Sequence, residues 1–279
     1  MMRFPPVPAV DAAPASLLDS GHLWIQELVD GALLRFQLQD SGMLRAGDCD
    51  RTFDAGEIPP PYRHAVRHVR ENVDRSALRD AVDDVSSVVC FGVATHQHAV
   101  DYDWEQTPSF LGHDVWFADD ERFLPPDAVE KLYRGIGLRP VNAFQKEVRA
   151  VDFDPDAYEI PASNWYDGSA AGVVVRNKRG VRASMDNPAV QAPDEPEPPE
   201  ASAAELARRY ATDRRFERVV AELTASGRPV TADATFERLF ETVVREEHRR
   251  LFVTANDLDV SAFRSELASL TQQFVADSD

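Results

Sequence analysis

The chain has 279 residues, 43% of them hydrophobic, which is enough apolar content for one large domain or two smaller ones. The net charge of −18, with three lysines (Lys131, Lys146, Lys178) among 30 basic residues, excludes a general nucleic-acid coat. It reads as the surface of a halophilic protein, with a merely acidic mesophilic one as the alternative, because screening over roughly 3 Å at 1 M salt makes self-repulsion weak. No run of about 18 apolar residues is present, and Pro5-Pro6 breaks any apolar leader; Cys49 and Cys90 are too few for a disulfide framework or a zinc site. These features point to a cytoplasmic protein with reduced thiols and no membrane partner.

Residues 22–29 and 32–38 flank Asp30-Gly31 and spell strand, tight turn, strand, a hairpin-like element. The stretch 61–82 reads as one helix, followed by strands at 86–94 and 110–117. A short helix over 126–137 ends at glycine, and strands are expected at 145–152 and across 171–185. Composition then shifts. The segment DNPAVQAPDEPEPPEAS, 186–202, is Pro- and acid-rich and reads as an exposed linker. Helical periodicity follows over 203–225, 233–251 and 260–275, with Phe236, Leu239, Phe240 and Val243 at i, i+3, i+4 and i+7. The expected plan is an α+β domain over 1–185, the linker, and a small all-helical domain over 203–279. There is no internal repeat.

Four segments carry a resemblance in chain order. IQELVDGALLRF (25–36) is spelled like Glu-Lys-x-Asp-Gly with Leu28 at the lysine position. VVCFGVATHQHAVDYDW (88–104) is similar to a strand ending in Phe-Gly-Glu with a His-containing continuation. PSFLGHDVW (108–116) is similar to Phe-Leu-Gly-Phe-Asp-Val, and AAGVVVRNKRGVRASM (170–185) to Glu-Gly-Val-Val-x-Arg followed by Lys-x-Lys. Together they resemble the motifs of ATP-dependent RNA ligases, of the covalent nucleotidyltransferase superfamily and of archaeal, halophile type. The resemblance covers roughly residues 20–185. It implies an ATP-grasp-like ligase adenylation fold of mixed antiparallel sheets with helices.

The resemblance also implies ATP and Mg²⁺ as cofactors and RNA as a partner, and it shows which positions are replaced. The lysine that would become lysyl-AMP is Leu28, which has no amine to form a phosphoramidate. The ribose-holding glutamate falls on Val93, the metal-linked glutamate on Ala171, and the lysine that meets the α-phosphate on Ser184. The resemblance retains, as nucleotide-binding positions, Glu27, Asp30, Gly31, His113 in place of the stacking aromatic, Asp114, Arg176 and Arg182, with Asn177 beside them. No residue is assigned as catalytic and none as a metal ligand. Lys131 and Lys146 lie outside the motifs, and Lys178 falls in the turn between the last two.

Other clusters are weaker. His64 and His68 stand at i, i+4 without a third ligand, and read as solvated histidines. Arg63, Arg67 and Arg70 form a basic stripe on the same helix, suited to phosphates or to nearby acids. His96, His98 and Asp101 read as pocket wall or as a satisfied turn. There is no Ser or Cys partner for a hydrolase triad and no glycine-rich phosphate loop.

The leading reading is an RNA-ligase-like pseudoenzyme with weak nucleotide or RNA binding. The alternatives are an active ligase with a nonstandard nucleophile and a noncatalytic interaction protein. The C-terminal helices carry more apolar residues than three short helices bury alone. They are therefore expected to pack on the α/β domain or on a second copy, and the resemblance to archaeal RNA ligases, some of which pair through such a region, favours a homodimer.

Overall fold

A computed structural model describes residues 1–54, 56–190, 201–253 and 258–278. The chain divides into two compact units, Met1–Ala192 and Pro193–Asp279. Residues 191–200, most of the expected linker, lie outside the described residues.

The first unit is built on two antiparallel sheets. One has the order β7-β1-β8-β9, from β1 (His22–Glu27), β7 (Ala143–Arg149), β8 (Gly172–Asn177) and β9 (Arg182–Asp186). The other has the order β3-β2-β4-β5-β6, from β2 (Ala32–Leu38), β3 (Leu44–Gly47), β4 (Val88–Ala94), β5 (Phe110–Phe117) and β6 (Arg122–Phe123).

The hairpin expected at 22–38 is therefore not formed: β1 and β2 belong to different sheets. The reason lies in β1 itself. Its last five residues are all buried, because β7 and β8 flank it on both edges and leave no edge for β2. Asp30 then turns the chain across. Its Oδ2 accepts the backbone N–H groups of His98, Ala99 and Val100 at 2.9, 2.8 and 3.0 Å. At Gly31, φ is +149°, and a Cβ there would meet the Ala94 carbonyl oxygen at 2.3 Å, so glycine is required for the crossing.

The single helix expected at 61–82 is two, α1 (Pro60–Asn72) and α2 (Arg75–Asp80). Val73 is extended, and the Asp74 carboxylate restarts the helix by accepting from the amides of Ser76 and Ala77. Helix α3 (Pro126–Gly135) follows expectation, β7 starts two residues early, and 171–185 resolves into the β8–β9 hairpin. The short strands β3 and β6 have no period-2 signal long enough to read. Helices α1 to α3 cover the second sheet over Phe36, Val69, Leu78, Phe110 and Tyr133, and Leu23, Ile25, Val173 and Val175 of the first sheet pack on Leu17 and Phe153. Each such side chain contributes about 1.5–3 kcal/mol on full burial.

The second unit holds α4 (Ala203–Tyr210), α5 (Asp213–Ala225), α6 (Ala232–Glu246) and α7 (Val260–Ser278). The expected 203–225 helix breaks because the Thr212 side chain accepts from the Arg215 amide and caps a new start. Ser202 and Glu205 form a capping box on α4. The helices bury Leu206, Phe216, Leu239, Phe240, Val243 and Phe263 together, and Phe216 stacks on Phe274 at 4.3 Å. Among the described residues of this unit the exposed large hydrophobic is Val230. No helix is long and apolar enough to cross a membrane among the described residues.

Candidate functional site

Where β1 and β8 of one sheet face β4 and β5 of the other, a cavity of about 130 Å³ opens. Five of the retained positions line it: Glu27, His113, Asp114, Arg176 and Arg182. So do Leu28 and Val93, at two of the positions where the resemblance expects a catalytic residue. Ala171 and Ser184 do not line it, and Asp30 and Gly31 form the crossing described above.

The pairing of β4 with β5 explains how His113 and Asp114, neighbours in sequence, both reach the cavity. Phe91 pairs with Asp114 and Gly92 with Gly112, so His113 is the extra residue of a bulge. Without the bulge, adjacent strand residues would point to opposite faces. Tyr133 holds it in place: its ring lies where a Cβ on Gly112 would sit. Its hydroxyl donates to the Phe91 carbonyl at 2.7 Å and lies 3.0 Å from that of Asp114.

On the β8–β9 hairpin Arg176 pairs directly with Arg182. Like charges opposite one another are destabilising. Asp114 resolves the conflict: its Oδ1 takes Arg176 Nη2 at 3.1 Å and its Oδ2 contacts Arg182 Nη1. Arg176 also donates to the carbonyls of His113 (2.7 Å) and Leu124 (3.1 Å), and Arg182 to that of Gly180 (3.2 Å). All three side chains are at most 5% exposed. Burial raises the Asp114 carboxyl against the pull of both guanidiniums. Burial lowers Arg182 to about 10, so it stays cationic at neutral pH. Burial, then the neighbouring guanidiniums, hold His113 neutral with its pKa down at about 3.

Glu27 is 2% exposed. Its Oε1 accepts from Ser163 Oγ at 2.6 Å and the Asn164 amide at 3.3 Å, and its Oε2 from Asn142 Nδ2 at 3.3 Å. Burial raises its pKa, partly offset by these three donors. Gln26 is the further polar residue of the wall, and the rest is apolar: Phe4, Val7, Leu28, Val29, Val93, Val141 and Val174. Leu28 packs over Gly172, where a Cβ would come within 2.9 Å of its Cδ2.

The lysines stand elsewhere. Lys178 pairs with Glu147 at 2.8 Å and is about half exposed, and this contact raises its pKa, away from a nucleophilic amine. Lys146 pairs with Glu130 at 2.7 Å and lies over Trp24, while Lys131 is exposed on α3. The donor set does not fit a divalent cation, which takes free carboxylate oxygens. Both carboxylates that reach the cavity are engaged, Glu27 by three donors and Asp114 by two arginines.

His64, read as solvated, is 1% exposed and packs edge-on against His96 at 6.4 Å between ring centres. The amphipathic face of α1 therefore includes it, and Asn72 donates to the carbonyl of His68. His96 and His98 lie 3.1 Å apart at Nε2, and Asp101 accepts from Trp104. Arg63 donates to the Ile58 carbonyl and Arg67 pairs with Glu71 at 3.0 Å. Asn177 caps the hairpin turn, its Oδ1 accepting from the amides of Arg179 and Val181. None of these lines the cavity.

The sequence reading missed Phe4 and Val7, which enter the cavity from the N-terminal segment. It also missed Ser163, Asn164 and Asn142, the partners of Glu27. An isolated Phe and Val in a Pro-rich stretch (RFPPVP) is the signal for the first two; the polar loop residues carry none.

No family model matches the chain, and no curated protein matches it. Solved structures do. An archaeal ATP-dependent RNA ligase is similar at 16% identity with a TM-score of 0.50, over 91% of this chain and 64% of that one. A Naegleria gruberi RNA ligase variant with ATP and Mn is similar at 11% identity and 0.53, over 68% of this chain and 57% of that one. The same Naegleria enzyme with pyrophosphate gives 13% and 0.51, over 68% and 56%. The chain thus spans less than two thirds of the length of these ligases. It has the RNA-ligase-like nucleotidyltransferase fold, a mixed α+β unit of antiparallel sheets, with helices following it.

Proposed function

We propose that this chain is a noncatalytic RNA-ligase-like protein: it keeps the two-sheet fold of the nucleotidyltransferases and does not form lysyl-AMP. One observation carries the reading. The cavity has Leu28 where the resemblance puts the nucleophile, and no lysine among its walls. Covalent nucleotidyl transfer needs an amine there that can lose its proton and attack phosphorus. The engaged carboxylates support the same reading, since phosphoryl chemistry draws on a metal clamp that they are not free to hold. With Phe4 and Val7 displaced from it, what the walls would offer is a weak, noncovalent hold on a nucleotide or an RNA end, through Arg176, Arg182 and the ring of His113.

The test is ATP-driven joining of two RNA ends by the full chain in molar KCl, with Mg²⁺ or Mn²⁺. No joined product is expected at any metal concentration; joining would overturn the reading.

A further inference from the structure

We propose that the cavity is a peptide site, an aromatic anchor plus an edge strand that takes an extended Phe-Pro-Pro-x-Pro segment, and that residues 1–9 of this chain are its ligand in cis. The proposal rests on the noncatalytic reading, because a nucleotide at work on residue 28 would need the same space.

The segment is held at three places. At its start, Arg35 of β2, 2% exposed, donates to the carbonyls of Met2 at 2.6 Å and Met1 at 3.3 Å, and Arg3 donates to that of Asp50 at 2.9 Å. In the middle, Phe4 enters a box of rings. Its centroid lies 4.9 Å from His113, edge-on, 5.1 Å from Phe91 and 5.8 Å from Phe123. The Arg182 guanidinium sits 4.9 Å from the Phe4 centre. Arg182 Nη2 is buried without a hydrogen-bond partner, and its guanidinium lies between the rings of Phe4 and Phe123, 4.3 Å from the centre of the latter, so Phe4 supplies one of the two faces that meet charge Asp114 does not fully engage.

At its end, the segment joins the sheet. The Ser184 amide donates to the Pro8 carbonyl at 2.9 Å, and Ala9 pairs in parallel with Ser184. β9 is an edge strand, and adding an extended segment to such an edge is a recurring way of reading peptides. Pro5, Pro6 and Pro8 favour the extended backbone and lack N–H groups, so they lose little entropy on docking and leave no donor unpaired. Val7 closes the cavity beside Phe4. The free volume of about 130 Å³ is below the 300–1,000 Å³ of ordinary ligand sites, which is what a cavity already holding its ligand leaves.

The experiment uses the full chain, unaltered and as Phe4→Ala, with a synthetic peptide of residues 1–9 bearing fluorine on its phenylalanine ring. Binding is followed by fluorine NMR in molar KCl. The cis segment acts at a high effective concentration, so the peptide should bind Phe4→Ala at least ~10-fold more tightly than the unaltered chain. Equal binding to both, or none to a Phe4→Ala variant with native tryptophan fluorescence, overturns the proposal. A second measurement needs no variant: in the unaltered chain the Ser184 amide should exchange slowly with solvent, and exchange at the rate of an open edge overturns it. Incubation of both proteins with α-labelled ATP separates the two readings. Absent peptide binding without enzyme-AMP overturns the peptide site alone, whereas enzyme-AMP on Phe4→Ala overturns the noncatalytic reading.

Discussion

Replacing Asp114 by asparagine tests the electrostatic frame of the cavity. The wild-type carboxylate touches both Arg176 and Arg182, which face each other across β8 and β9. Asparagine keeps the shape and one acceptor oxygen but leaves two buried guanidiniums opposed. Arg176 retains two carbonyl partners, His113 and Leu124, whereas Arg182 retains one, Gly180, so most of the loss falls on Arg182. Breaking a buried ion pair from one side costs about 3–5 kcal/mol. At about 2–4 °C per kcal/mol for a unit of this size, the melting midpoint should fall by roughly 6–20 °C. All four tryptophans (Trp24, Trp104, Trp116, Trp165) lie in the first unit, so their fluorescence reports its unfolding alone. A double-mutant cycle with Arg182→Met should show coupling of about 1–3 kcal/mol, because removing the stranded cation relieves the first change. A loss below about 1 kcal/mol for Asp114→Asn, or additive effects in the cycle, would refute the reasoning.

His113→Phe should flatten the acid limb of stability. The partly buried imidazole has its pKa lowered from 6.5 to about 3, so between those values the unfolded chain binds a proton that the folded chain refuses. Stability present above pH 6.5 is lost as pH falls toward 3, by up to about 1.4 kcal/mol per unit, and equal slopes for both proteins in urea titrations would count against this. Tyr133→Phe should cost about 1–3 kcal/mol by leaving the Phe91 and Asp114 carbonyls without their donor, and should speed amide exchange at the bulge. Unchanged exchange at Asp114 and Val115 would show that the hydroxyl does not hold the bulge. Leu28→Lys alone should yield at most a trace of enzyme-AMP, because one missing transition-state contact typically costs on the order of 10²–10³ in rate and the resemblance puts Val93, Ala171 and Ser184 at further such positions. Strong labelling of that variant would show that the nucleophile was the sole defect.

Much of the fold was legible in residue pattern. The strand-like runs at 32–38 and 110–117 coincide with β2 and β5, because most of each strand is buried. The hairpin at 22–38 was misread because Asp-Gly is a local turn signal, while the partner of a strand is decided by distant pairing with β7 and β8. Asp74 and Thr212 carried readable caps that helical periodicity overrode. In the cavity, Glu27, His113, Asp114, Arg176 and Arg182 were found through motif resemblance, and the structure brings those five together. Their partnerships were not readable. Nothing local says that Asp114 answers Arg176 and Arg182, 62 and 68 residues away, or that Ser163 fixes Glu27 from 136 residues away. Phe4 was passed over because a Pro-rich terminus argues for exposure when nothing shows what it packs against.

The most direct test of the central claim is incubation of the unaltered full chain with α-labelled ATP and Mn²⁺ in molar KCl, followed by a denaturing gel. With Leu28 in the cavity and all three lysines outside it, no label should stay with the protein. A band of covalent protein-AMP would contradict the account.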